Sequence, residues 1–305
     1  MLDLRRTNDE RVQFNYSWGG AAGILCAIEA NKQGMDNILL IEKDPVLGGA
    51  LNLGNYNISR ENAINGQEYK KTLMERFDKC SVDLKLNTMV LKIEENNEVL
   101  CTSSEFGIEK IKGKKIILAN GAKEGSRKAI SMVGDRCSGI LTVGMAKKIF
   151  SIGNMIPGKN ILIDGYETLY MIQEQLKDKN INVVGIISEN NDIETYGLTD
   201  KIYKDYKIVS IQGEGRITSV TLEKDGNEEV VECDTLMFAR PMLSDGLVSM
   251  RSDIKLNPTT TGPEVDDKFM TSRENIYACG NGIYIHKFIE DIEEECSKLI
   301  KGLNN

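Results

Sequence analysis

The sequence predicts an α/β protein assembled from two βαβ units. Three observations lead there. Residues 12–42 read as strand, Gly turn, helix, Gly, strand, and residues 160–188 repeat the strand, turn, helix, strand order. Gly is frequent, at 28 of 305 residues, which suits the turns of an α/β fold better than a helical bundle.

Taken in order, VQFNYSW at 12–18 is a polar strand. Residues 20–33 have helical spacing, with Ala22, Ile24, Leu25 and Ile28 on one side, and Gly34 ends the helix. NILLIEKD from 37 is an apolar run of the kind buried in a parallel sheet. A helix is expected over about 67–80, extended segments at 84–94 and 98–102, and a strand at 114–121. The second unit gives strand 160–164, helix from about 167 to 178 and strand 182–188. Residues 189–206 are short of a helix. The stretch from 208 to 238 reads as antiparallel strands with GEG and DGN turns. The tail reads as strand, Gly turn and a helix from about 286 to 300, with EDIEEE at 290–295 as its solvated face.

Composition narrows the function. Hydrophobic residues are 41% and charged residues 28%, and the net charge is −8, so a soluble protein is expected and nucleic acid is an unfavourable partner. No apolar run reaches the roughly 18 residues of a membrane span. MLDLRRTNDE at the start is too polar for a secretory signal. Seven Cys without a C-x-x-C read as reduced thiols, and a cytoplasmic location is expected. A single His and scattered Cys give no metal-ligand spacing.

SWGGAAGILCAIEA at 17–30 is close to the G-x-G-x-x-G loop that holds a dinucleotide. Gly20 and Gly23 stand in its second and third places, and Trp18 in its first. In such a loop backbone N–H groups and the helix dipole hold a diphosphate. Glu42 ends the second strand, 22 residues after Gly20, where a carboxylate can accept ribose hydroxyls.

GGAAG, LLIEKDPVLGG, IILANGAKE and NIYACGN, in that order, resemble the flavoproteins with two dinucleotide domains related to thioredoxin reductase. GDRCSGILTVGMAKKI at 134–149, PGKNILI at 157–163 and ACGNGIYIHKFIED at 278–291 resemble the branch associated with glycerol, opine and sarcosine dehydrogenases. The resemblance implies two Rossmann-like domains, FAD- and NAD(P)-type, the second inserted in the first. The FAD-type domain would span 1–125 and 255–305, and the NAD(P)-type domain 126–254. Gly19, Gly20 and Gly23 would meet the FAD diphosphate, and Glu42 the ribose with Lys43 beside it. Gly49 would line the passage to the flavin, and Val90 would offer its backbone to adenine. Ala119 and Gly121 would flank the family's A-T-G turn, with Asn120 for Thr. Gly280 and Asn281 would cap the ribityl and phosphate region.

The chain departs from that pattern. Trp18 puts an indole on the tight turn, where a bulky side chain resists the backbone shape and could fill cofactor space. In the second unit Asp164, Tyr166 and Leu169 occupy the three Gly places, and Asp164 would repel a diphosphate. The implied function is an FAD-dependent oxidoreductase that does not use NAD(P)H in the usual way. It would pass electrons to a second dehydrogenase subunit or work as a homodimer. Two readings stay open beside it: a scaffold or regulatory relative without cofactor, and an adenine-nucleotide-binding subunit. His286, the one histidine, lies in a motif near the flavin in the resembled branch and could move protons there. The plainer reading is a helix N-terminal residue bonding the backbone.

Overall fold

The structure, a computed structural model, describes residues 14–17, 19–125, 134–153 and 155–303. Trp18 lies outside them. In chain order the elements are β1 (Phe14–Ser17), α1 (Ala21–Lys32), β2 (Ile38–Ile41), α2 (Gly66–Phe77), β3 (Val82–Lys85), β4 (Thr88–Ile93), β5 (Glu98–Ser103), β6 (Gly107–Lys112), β7 (Lys115–Leu118) and β8 (Ala122–Lys123). There follow β9 (Ile140–Thr142), α3 (Val143–Gly153), β10 (Asn160–Asp164), α4 (Gln173–Asp178), β11 (Asn182–Ser188), β12 (Ile202–Lys204), β13 (Lys207–Glu214), β14 (Arg216–Lys224), β15 (Asn227–Glu232) and β16 (Thr235–Phe238). The chain closes with β17 (Leu243–Ser244), α5 (Leu247–Arg251), β18 (Ile276–Ala278) and α6 (Ile289–Leu303). Backbone contacts divide it into unit 1, Met1–Lys123 with Leu243–Asn305, and unit 2, Glu124–Met242. The residues at 254/255, where a boundary is expected from the sequence, fall within unit 1 by this division.

Unit 1 carries a five-stranded parallel sheet in the order β18-β7-β1-β2-β3. Strands β2, β7 and β18 are buried at consecutive positions because both faces are covered, whereas the edge strand β3 is partly exposed. Ile38, Leu40 and Ile117 point into one core with Ile24, Ile28, Leu73 and Leu299 of the helices. Leu39, Ile41, Ile116 and Leu118 point into the other with Val90, Ile93, Val99 and Ile276. That second face is closed by the antiparallel sheet β4-β5-β6.

Helix α2 starts at Asn65, whose Oδ1 accepts the N–H groups of Gln67 and Glu68, while Glu68 Oε2 accepts the N–H of Asn65. This reciprocal box satisfies donors that a helix start leaves unpaired. Replacing Asn65 with Ala is expected to lower stability by about 1 kcal/mol. A urea unfolding curve checks this, and an unchanged midpoint counts against the cap.

Helix α6 buries Ile289, Ile292, Cys296, Leu299, Ile300 and Leu303 along one stripe. The expected solvated face at 290–295 is mostly engaged: Glu290 takes the Ser59 hydroxyl, Asp291 pairs with Arg60 at 2.6 Å, and only Glu294 is fully exposed.

Unit 2 has its own parallel sheet, β12-β11-β10-β16-β9, beside the antiparallel meander β13-β14-β15. The turn from β14 to β15 is Asp225–Gly226, with φ of +52° and +80°, the left-handed pair that a two-residue hairpin requires. Strands β10 and β11 fall where the sequence places them. The helix expected over 167–178 is broken: Leu169–Met171 is a 3-10 turn, and only Gln173–Asp178 is α-helical.

Candidate functional site

In unit 1 the chain runs from β1 outward to β2 and β3, then returns to the other side of β1 for β7 and β18. The strand order reverses between β1 and β7. Crevices at the carboxyl ends of parallel strands, at such a reversal, are where this class of sheet takes ligands. Gly19 and Gly20 follow β1, Glu42 follows β2, Ala119 to Gly121 follow β7, and Cys279 to Asn281 follow β18. Most of the sequence-predicted cofactor residues therefore share one edge.

The turns at this edge approach each other closely. Gly20 is the N-cap of α1, which has no side-chain cap and no acidic residue in its first turn. A Cβ on Gly20 would have no neighbour within 4 Å among the described residues. Among the described residues no side chain caps the first-turn amides of α1, whose partial positive charge lies at the reversal point. Gly23 is buried on the same helix. Gly49 has φ +50°, and a Cβ there would stand 3.1 Å from Gly20 Cα, so the 48–49 turn lies on the loop. A Cβ on Gly282 would stand 3.2 Å from the Asn120 N–H nitrogen, which brings the β18 turn onto the β7 turn.

Glu42 is 3% exposed. Its Oε2 accepts the Gly19 N–H at 2.6 Å and its Oε1 the Asp44 N–H at 2.8 Å. Burial pushes its carboxyl above the ordinary range, and these two N–H donors oppose that shift. Leu47 covers the same corner: a Cβ on Gly19 would meet its Cδ2 at 2.2 Å. Lys43 is exposed. The Thr88 N–H donates to the Glu42 carbonyl at 2.9 Å, so β4 begins beside Glu42, and the Val90 side chain turns into the core on the far face.

At the β18 end, Glu295 of α6 reaches back to the turn. Its Oε1 accepts the Gly280 N–H, and its Oε2 lies 3.0 Å from His286 Nε2. Asn281 Oδ1 accepts the His286 N–H at 2.9 Å, and the His286 ring stands edge-on to Tyr284 at 5.2 Å. His286 precedes α6, whose first residue is Ile289. The group can pass a proton between imidazole and carboxylate, and it holds the Gly280 turn closed.

Two participants carry no motif in the sequence. Glu295 reads as part of a solvated acidic run. Asn120 reads only as a Thr replacement, yet both polar atoms of its side chain are buried without a partner among the described residues. A buried unsatisfied amide is costly, and a ligand at that edge would satisfy it.

The corresponding edge of unit 2 is closed by the chain itself. Asp164 Oδ2 accepts from Arg240 Nη2 at 2.7 Å and Nε at 2.9 Å. The Gly165 N–H donates to the Ile187 carbonyl, the Tyr166 N–H to Glu167 Oε2, the Thr168 N–H to the Ala239 carbonyl and the Leu169 N–H to the Tyr166 carbonyl, all within 3.0–3.1 Å. These are amides that would otherwise face a phosphate. Their engagement also explains why the first helical turn here is 3-10.

No family model matches the chain, and no curated protein matches it by sequence. Solved structures do. Thioredoxin reductase of T. acidophilum superposes with a TM-score of 0.77 at 17% identity, over 95% of this chain and 97% of that one. Thioredoxin reductase of Lactococcus lactis gives 0.76 at 17%, over 96% and 98%. L-proline dehydrogenase of P. horikoshii gives 0.72 at 18%, over 95% of this chain, which spans 54% of that protein. The fold is the α/β fold of two Rossmann-like units seen in thioredoxin reductases.

Proposed function

We propose that unit 1 binds FAD and that the protein is a flavin-dependent oxidoreductase whose flavin is not reduced by NAD(P)H through unit 2. The observation that carries this reading is the N-terminus of α1, uncapped among the described residues, at the strand-order reversal. The donor set fits the group. The first amides of α1 would hold the diphosphate. Glu42 uses one lone pair on each oxygen for Gly19 and Asp44 and keeps others for ribose hydroxyls. The Asn120 amide, without a partner among the described residues, would find one in the cofactor. Bound flavin would supply the redox chemistry. The chain's own residues bind and orient it, and His286 with Glu295 holds a proton beside the Gly280 turn. Solved neighbours are named as reductases and a dehydrogenase, which agrees in class. The self-satisfied loop of unit 2 and the Asp164 charge support the exclusion of NAD(P)H. Electrons would then pass to a partner, a second dehydrogenase subunit or a second copy of the chain.

The test is the absorbance of the purified protein and its thermal shift with FAD. The expected protein is yellow, or turns yellow with FAD, and gains about 2.7 kcal/mol of stability at a hundredfold excess over Kd. NADPH or NADH without a partner should leave the flavin oxidised. Glu42→Gln should weaken FAD by roughly tenfold or more, the worth of one charge-assisted hydrogen bond. A protein that stays colourless and unshifted by FAD would end this reading.

One observation favours a second reading, an adenine nucleotide without flavin: Glu295 already holds the Gly280 N–H at the end of the crevice away from Glu42. Stabilisation by ADP equal to that by FAD would select it.

A further inference from the structure

Three thiols of unit 1 come from three separate elements and meet at one point. Cys26 is in the second turn of α1, Cys279 directly follows β18, and Cys296 is in the second turn of α6. They are 0%, 0% and 1% exposed. The sulfurs of Cys26 and Cys279 are 3.6 Å apart, and all three lie within 4.8 Å of one another. The sequence conceals this grouping, because the three residues share no spacing motif.

Buried Cys is commonly a small apolar filler, and a filler has no need for its sulfur to face another. Here three sulfurs converge from three directions. We propose that Cys26, Cys279 and Cys296 form a three-sulfur site for one soft monovalent metal ion, Cu(I) in class. Thiolates are soft donors and select such ions. With a metal–sulfur bond of about 2.3 Å, a trigonal site places its sulfurs about 4 Å apart, within the observed spread. No fourth Cys, His or carboxylate joins the group among the described residues, whereas structural zinc sites complete a tetrahedron. Binding involves no oxidation: each ligating thiol releases its proton to solvent as its sulfur bonds the ion.

The His286–Glu295 pair borders the group: Glu295 precedes Cys296 in sequence and accepts the N–H of Gly280, which follows Cys279. The inference does not depend on flavin binding.

The test uses the full chain, reduced and anaerobic, given Cu(I) in competition with bathocuproine disulfonate, and then X-ray absorption at the copper edge. The expected result is one copper retained per chain with three sulfur neighbours. Cys26→Ala, Cys279→Ala and Cys296→Ala should each lower retained copper to the level of the triple variant, while Cys80→Ala and Cys233→Ala leave it unchanged. If a core variant fails to fold, the absorption spectrum of the unaltered chain still decides. Failure to retain copper, a shell containing nitrogen or oxygen, fewer than three sulfurs, or preference for Zn(II) over Cu(I) each overturns the assignment.

Discussion

Arg240→Ala is expected to destabilise unit 2 by about 1–2 kcal/mol near neutral pH, less than for a fully buried pair because solvent screens the half-exposed guanidinium. Asp164 sits at the end of β10, 4% exposed, and both Arg240 contacts fall on its Oδ2. The Arg240 side chain is 52% exposed, so removing it empties little core. The penalty comes from leaving a buried carboxylate without its counter-charge. Burial raises the Asp164 pKa even with Arg240 pulling it down, so the anion costs more in the folded chain than in the unfolded one. For a raised carboxyl the sign is fixed: stability is fully present below the unfolded value, about 3.9, and is lost as pH rises through the folded value. Without Arg240 the folded value moves higher still. The deficit of the variant should therefore be large at pH 8, shrink toward pH 5 and vanish below the ordinary Asp range. Asp164→Asn placed on Arg240→Ala should recover most of the loss. Chemical denaturation at the two pH values reads this, and equal deficits at both would sink the charge argument.

Gly280→Ala is expected to lower stability by about 3 kcal/mol and, on the proposed reading, to abolish FAD binding. Two terms contribute. Gly280 has φ +63°, a left-handed shape that disfavours an L side chain by roughly 1–2 kcal/mol. A Cβ there would stand 2.6 Å from the Cβ of Ala22 on the first turn of α1, and overpacking of that kind typically costs about 1–3 kcal/mol. Ala22 is 8% exposed and has no rotamer to retreat into. Relief must come from the backbone, which would shift the α1 amides or break the Gly280–Glu295 bond. Adding Ala22→Gly should return the steric part, about half, and leave the backbone part. The loss is measured by urea unfolding and the cofactor by absorbance. A loss under about 1 kcal/mol would mean that the two turns do not meet as described.

The sequence exposes some of this and hides the rest for identifiable reasons. Strands β2, β7, β10 and β11, four to seven residues long, are built around short apolar runs of the kind a sheet covered on both faces buries. Gly20, Glu42, Gly121 and Gly280 each follow a strand, so a parallel sheet brings them to one edge. The helix at 167–178 was not legible in its broken form. Its spacing is helical, but the Gly165 N–H before it is taken by the Ile187 carbonyl of β11 and the Thr168 N–H by the Ala239 carbonyl just after β16. The same holds for Asp164: the sequence shows its charge at a phosphate turn, while Arg240, 76 residues later, answers it. Glu295 sits in an acidic run, and only the path of the β18 turn draws it inward.

What the sequence determined alone is local: which segments are strands or helices, which turns need glycine, and where an acid ends a strand. These follow from side-chain period and backbone shape, which act over a few residues. Which groups meet was decided by tertiary structure alone. Cys26 and Cys279 touch across 253 residues, and the Asn120 backbone lies against Gly282, far along the chain. The reason is physical: helices and strands pack by the shape and area of whole faces, so the partners of any one polar atom are set by how those faces fit.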